Sequence, residues 1–357
     1  MPLVQRECMN IHNQISQKKP NHKKFPINKV KIFDVETMEK RKEIAGHRSN
    51  VYQNMKLFLS YLEGTGGELE LVPVYRSMLS NLMRLVLTFP NFREVIEYYA
   101  HQIALQLLDE EAFFSVDPVL IAGAPGIGKT AFSNALTKVL NAPIDILSFS
   151  SATAGFVLSG STPTWSEGKP GRIVELMAKT RVANPLIMID EIDKVSGDIR
   201  YSPFGPLYQL LEDETAKNFT DEGLEIATDC RYINWAATAN DLDFVPEPIL
   251  SRFAIFHIET PTNKEMGKVI RSIYQNVLKN NRWGRYFSAE LDKTVIEKII
   301  EFNVSPRRIQ KELKKACAKI AFDYALAKRR HKGLFKIMEK HIVIKSETKK
   351  MPIGFYQ

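Results

Sequence analysis

The pattern of apolar and polar positions divides the chain into three stretches. From Val51 apolar residues recur at helical spacing, and "VYQNMKLFLSYL" sets Val51, Met55, Phe58, Leu59 and Leu62 on one face. The glycines of "GTGG" (Gly64–Gly67) end that helix. "YRSMLSNLMRLVL" and "FREVIEYYAHQIALQLL" predict two more helices. At Pro118 the period changes. "PVLIAG" is a short continuous apolar run, the pattern of a strand covered on both faces. The same pattern returns in "IDILSF" (Ile144–Phe149), "PLIMID" (Pro185–Asp190), "RYINWAAT" (Arg231–Thr238) and "FAIFHI" (Phe253–Ile258). Helical patterns separate most of these runs, which predicts a mostly parallel sheet with helices on both sides. After Pro261 the strand pattern stops. "NKEMGKVIRSIYQNVLK", "AELDKTVIEKIIEF" and "SPRRIQKELKKACAKIAFDYALAKRR" read as amphipathic helices. The last puts Ile309, Leu313, Cys317, Ile320 and Tyr324 on one face.

Four segments are expected on this basis. Residues 1–50 are basic and loosely ordered, residues 51–90 are a helical N-terminal extension, residues 91–261 form the α/β domain, and residues 262–357 form a small helical domain with a basic tail. The 357 residues are enough for two buried cores. No apolar run approaches the ~20 residues of a membrane span, and "MPLVQRECMNIHNQ" has no signal-peptide pattern. Cys8, Cys230 and Cys317 are odd in number and lack metal-ligand spacing, as expected for unreactive thiols in a reducing cytoplasm. The net charge of +8 is uneven. Residues 1–50 carry 11 Lys/Arg against 5 Asp/Glu, and residues 305–357 carry 15 against 4, so the stretch between is acidic. Basic ends of this kind are solvated helix faces and tails, or contacts for nucleic acid or acidic protein.

Three boxes carry the chemistry. "GAPGIGKT" (Gly123–Thr130) fits G-x-x-x-x-G-K-[ST] between a strand and an amphipathic helix. In such a loop the backbone of Gly123, Ala124, Pro125, Gly126, Ile127 and Gly128 wraps phosphates. Lys129 reaches the β- and γ-phosphates, and the Thr130 hydroxyl binds Mg²⁺. "LIMIDEID" carries an apolar strand out to Asp190 and Glu191. Asp190 is placed to hold Mg²⁺ and its waters, and Glu191 to polarise the attacking water. "AATAN" ends a further strand at Asn240, which helps hold that water. Arg252 in "PEPILSRF" suggests an arginine finger donated to a neighbour's γ-phosphate. Arg307 or Arg308 in "SPRRI" could reach back to the phosphates.

These residues, in this order, resemble the AAA+ ATPases, and within them the ATPase module of the Lon protease family, from about Phe92 to Ala327. The resemblance rests on "GAPGIGKT", "IDEIDKVSGDIR", "LYQLLEDE", "NFTD", "ATANDLDFVPEPILSRF" and "VSPRRIQKEL". It implies a P-loop NTPase sheet flanked by helices, followed by a small all-α lid. It makes Lys129 and Thr130 Walker A residues, Asp190 and Glu191 Walker B residues, Asn240 sensor 1, Arg252 the finger and Arg307 sensor 2. It also implies ATP and Mg²⁺, a ring that is a hexamer in the family, and a pore loop with an aromatic followed by an aliphatic residue. Trp165 takes the aromatic place and Ser166 the other, ahead of "PGRI" (Pro170–Ile173). The chain stops about where Lon continues into its serine–lysine protease domain, so no peptidase activity is expected of it. Ile353–Phe355 resembles the tripeptide by which Clp-type unfoldases dock on a peptidase ring, and its plainer reading is the end of the small domain.

Three functions compete. One is an ATP-driven ring that remodels protein threaded past Trp165, in the cytoplasm and without a membrane partner. The second is a nucleic-acid motor or loader that uses the basic C-terminal region. The third is an ATP-gated assembly switch with slow turnover. Lys169 is the only basic residue near Trp165 before Arg172, a thin lining for a nucleic-acid channel.

Overall fold

The computed structural model describes residues 28–47, 49–109, 111–150, 154–162, 168–195, 202–326 and 333–344. Trp165, Ser166, Cys8 and Ile353–Phe355 lie outside the described residues. The chain opens with β1 (Lys29–Lys31), α1 (Val35–Ala45), α2 (Asn50–Tyr61) and β2 (Glu68–Glu70). Next come α3 (Arg76–Thr88), a 3₁₀ turn (Pro90–Phe92) and α4 (Arg93–Gln106). The α/β region follows as β3 (Val119–Gly123), α5 (Lys129–Leu140), β4 (Ile144–Ser148), α6 (Ala154–Ser159), α7 (Arg172–Thr180) and β5 (Leu186–Asp190). It continues through α8 (Phe204–Leu210), α9 (Asp213–Ala216), β6 (Phe219–Asp221), β7 (Ile226–Thr228), β8 (Asn234–Ala239), α10 (Glu247–Leu250) and β9 (Ala254–Ile258). The last helices are α11 (Asn263–Lys279), α12 (Lys293–Glu301) and α13 (Pro306–Leu326).

The central sheet is parallel, in the order β4-β5-β8-β3-β9. All six residues of β8 are buried, as are the first four of β3 and β5, so these continuous apolar runs are the inner strands. β4 and β9 depart from the expectation of burial on both faces. They are the edges of the sheet, and Ile146 on β4 is 41% exposed. From β3 the chain crosses to the far edge, and it returns to lay β8 and then β9 on either side of β3. The carboxyl ends of β3, β5 and β8 therefore share one rim, where ligands of open α/β sheets bind.

One face of the sheet packs under α3, α4 and α5 through Met78, Leu82, Tyr99, Phe132 and Leu136. The other face packs under α2, α7 and α8 through Phe58, Ile173, Met177 and Leu207. Residues 28–45 join this second core, which corrects the expectation of a loose segment over 1–50. Ile32, Phe33 and Met38 are buried in it, and the Phe33 ring meets Phe58 edge-on at 5.3 Å. β1 pairs antiparallel with β2, Lys29 opposite Glu70. A third core joins Met266, Ile270, Val295, Ile299, Leu313 and Ile337 in the helical C-terminal region. There the α13 stripe is buried through Ile320, while Tyr324 sits at the rim with its ring 5.2 Å from Phe335. Cys230 and Cys317 are buried, and burial raises both thiols, Cys317 to about 12, so neither is a thiolate near neutrality.

Candidate active site

The phosphate loop turns through two glycines with positive φ, Gly126 at 82° and Gly128 at 114°. A side chain would strain both positions. Gly128 caps α5, whose first residues are Lys129 and Thr130. Behind this turn Phe92 stacks on Phe132, centroids 4.4 Å apart, and Phe89 meets both rings edge-on. The aromatic group fixes α5 against the Pro90–Phe92 turn, so the loop rests on a rigid support.

Lys129 is only 7% exposed. Its Nζ donates to Gly123 O at 2.5 Å, Ala124 O at 3.2 Å and Asn240 Oδ1 at 2.8 Å. Burial lowers its pKa, and the carboxylates of Asp193, Asp190 and Glu191 act against that shift. This is the balance a phosphate-binding lysine needs: an ammonium held out of water, kept charged by acidic neighbours.

On the neighbouring strands Thr238 is the joint. Its hydroxyl donates to Asp190 Oδ1 at 2.6 Å and accepts from the Glu191 N–H at 3.0 Å. Its carbonyl accepts the Ile192 N–H at 2.9 Å. Glu191 is held at a φ of 57°, which is unusual for a residue with a side chain. The three bonds from Thr238 around it, and the Lys194 N–H donated to Glu191 O at 2.9 Å, impose that geometry. Asp193 lies just beyond. Its side chain is fully buried and neither oxygen makes a hydrogen bond among the described residues, although Lys194 Nζ is 3.3 Å away. The contact is close enough for charge attraction and is not aligned as a hydrogen bond.

The structure thus brings Gly123–Thr130, Asp190, Glu191 and Asn240 onto one rim. Arg252 and Arg307 make none of the hydrogen bonds described for these residues. One Arg252 Nη bonds Pro248 O, the other pairs with Glu212, and the guanidinium lies 5.8 Å from the Tyr208 ring centroid. Arg307 lines a groove of about 570 Å³ with Arg308, Lys311, Glu312 and Lys315. A second cavity of about 260 Å³ lies between Ala124–Ile127 and the Asn303–Pro306 turn, beside Pro261 and Met266. Ser305 closes on the phosphate loop so tightly that a Cβ on Gly126 would lie 3.3 Å from its own. The sequence reading gave no role to Thr238, Asp193, Phe89 or Phe92. For Thr238 a signal existed: it stands two residues before Asn240, on the same side of the strand end.

The site suits a nucleotide with Mg²⁺. The positive-φ glycines turn the loop tightly between β3 and α5, and Asp193 is a buried carboxylate without a hydrogen-bond donor among the described residues. Thr130 is exposed in the first turn of α5, and Asp190 keeps one oxygen beyond its bond to Thr238. Among the described residues no cluster of three or more His, Cys, Asp or Glu could cage a metal. Mg²⁺ keeps most of its waters and takes phosphate oxygens, so beside a nucleotide Thr130 and Asp190 would suffice to hold it.

Residues 119–260 match the family described as "ATPase family associated with various cellular activities (AAA)". They form an AAA domain. The curated relatives of this chain include the Lon protease of Buchnera aphidicola subsp. Baizongia pistaciae, 29% identical over 66% of this chain and 30% of that protein. Lon protease 1 of Thermus thermophilus is 28% identical over 64% of this chain and 29% of that protein. The chain therefore spans about 30% of the length of these relatives, and the part it shares is related to the ATPase module of Lon. Among solved structures, a RuvB mutant of Thermotoga maritima aligns over 69% of this chain and 67% of its own, at 18% identity and a TM-score of 0.43. No described helix is long and apolar enough to cross a membrane.

Proposed function

We propose that the AAA domain hydrolyses ATP in a ring of identical subunits, six by family expectation, and uses the cycle to remodel protein substrates in the cytoplasm. The observation that carries this reading is the Lys129–Asn240–Thr238–Asp190–Glu191 constellation at the ends of β3, β5 and β8. The phosphate-loop N–H groups and Lys129 bind the phosphates. Thr130 and Asp190 would hold Mg²⁺, which would supply charge neutralisation on the phosphates when bound. Glu191, fixed by Thr238, orients and deprotonates the attacking water, and Asn240 aligns it. Arg252 comes from the neighbouring subunit. The helical region from residue 262 acts as the lid, its Asn303–Pro306 turn closing over the loop and Arg307 sensing the phosphates. Trp165 grips the substrate in the pore.

The Glu191→Gln variant tests the assignment. It should bind ATP as the parent does and hydrolyse it about a hundredfold more slowly or less, the loss expected for removing a general base. Hydrolysis at the parent rate would remove Glu191 from the mechanism. A second reading, a nucleic-acid motor, is favoured by the groove lined by Arg307, Arg308, Lys311 and Lys315. Capture with Glu191→Gln in ATP, with and without nuclease, distinguishes the two.

A further inference from the structure

Arg252 is engaged within its own chain. Its side chain is 21% exposed, its two Nη atoms are bonded to Pro248 O and Glu212 Oε1, and the Tyr208 ring lies beneath it. The guanidinium is mostly covered by groups of its own chain. Its restraint is unequal. Pro248 lies on α10, the short helix that ends two residues before Arg252, so this bond is local to that turn. Glu212 lies forty residues earlier, at the start of α9, and its backbone is well anchored. The Glu212 carbonyl accepts the Ala216 N–H at 2.8 Å and the Thr215 hydroxyl at 3.2 Å, and Ala216 O accepts the Cys230 N–H at 2.9 Å. The Glu212 carboxylate itself is 49% exposed and free to turn toward water.

We infer that Glu212 is the positioning residue for Arg252: it holds the guanidinium against its own subunit and releases it to the γ-phosphate of a neighbouring subunit. The inference rests on the proposed role of Arg252 in trans. Carboxylate and phosphate offer a guanidinium the same paired-oxygen geometry, so one can replace the other without reorienting the fork. A half-exposed ion pair is weak, and a γ-phosphate carries more charge than a carboxylate, so the exchange favours the phosphate once a neighbour is in place. Glu212 thereby makes the finger available only in the assembled ring. It also ties the finger to α9 and, through Ala216 and Cys230, to the strand pair β6–β7.

The experiment measures ATP hydrolysis at saturating ATP while the concentration of the full chain is varied. The parent, Glu212→Gln, Glu212→Asp, Arg252→Ala and the double variant Glu212→Gln/Arg252→Ala are compared, each checked for a parent-like thermal midpoint. Glu212→Gln should reach half-maximal turnover at about two- to fivefold lower protein concentration, the size of one exposed ion pair. Glu212→Asp, which keeps the charge, should stay near the parent. The double variant should show none of the gain. Turnover in Glu212→Gln that falls to the Arg252→Ala level, or matches the parent at every concentration, overturns the role of Glu212. Parent-rate hydrolysis by Arg252→Ala would instead overturn the finger itself, and the proposal with it.

Discussion

Gly128 in the phosphate loop and three glycines around the Ser161–Lys169 contact differ in the space around them. At Gly128 a Cβ would meet only the edge of the Phe92 ring, 3.9 Å away. The backbone there faces open space. At the second site three glycines are pressed against backbone. A Cβ on Gly171 would lie 2.1 Å from Leu158 O, one on Gly223 2.1 Å from Lys169 O, and one on Gly160 2.8 Å from Lys169 O. Beside them the Ser161 N–H donates to Lys169 O at 2.9 Å. In the middle sits Asp221, fully buried, accepting from the N–H groups of Gly171 at 2.7 Å, Gly223 at 2.9 Å and Leu224 at 2.8 Å. Backbone N–H groups converging on an anion are the device of a phosphate site. Here the protein's own carboxylate fills it. Gly128 keeps room for a ligand, although Gly123 at the start of the same loop is itself pressed to 2.7 Å from Ile258 O; the glycines near Asp221 remove the room so that three chain segments can close on one another.

The strongest way to break this comparison is Gly171→Ala. Its added carbon cannot be accommodated at 2.1 Å from a backbone oxygen, and moving the backbone breaks the bond to Asp221. Urea unfolding should show a loss of about 3 kcal/mol or more. A variant as stable as the parent would mean that the three segments are not in close contact.

Asp221 sharpens it next. Burial pushes its carboxyl up to about 6 from the ordinary 3.8, against the pull of its three N–H bonds. A folded pKa above the unfolded one means that folding takes up a proton between those values. The stability this contributes is complete below about pH 4 and is lost as pH rises through about 6. Across that window the parent should lose at most about 3 kcal/mol relative to Asp221→Asn, which cannot titrate. Urea midpoints recorded from pH 4 to pH 7 on both proteins read the difference. Parallel curves would show that Asp221 is charged throughout.

The two regions also differ in how far the sequence discloses them. The phosphate loop is contiguous, its chemistry demands those residue types in that order, and β3, β5 and β8 are apolar from end to end. Its acidic partner box is as plain. The Asp221 site is assembled from Gly160, Gly171, Gly223 and Asp221, over sixty residues apart at the extremes, and "NFTD" shows only that an acid follows a strand-like trio. β1 with β2, and β6 with β7, are strands of three residues, too short for an alternation to register. The edge position of β4 and β9 depends on strand order, which an apolar run does not encode. Likewise, Arg252 is legible as a cation beyond a strand, but its hold by Glu212 is a contact across forty residues.

Gly128→Ala supplies the smallest effect on stability and the sharpest contrast. Its φ of 114° strains any side chain, which costs on the order of 1 kcal/mol, and there is no close backbone neighbour to add to that. The backbone can relieve the strain by rotating the Gly128 N–H away from the space it faces. Each charge-assisted bond lost to a phosphate costs about 1.5–3 kcal/mol, so ATP affinity should fall about tenfold or more while the urea midpoint barely moves. Gly171→Ala should show the reverse, with the folded fraction still binding nucleotide. Equilibrium binding of a fluorescent ATP analogue, set beside urea unfolding for the two variants, reads both quantities. If Gly128→Ala cost as much stability as Gly171→Ala and spared affinity, the open space at Gly128 would not be what that glycine is for.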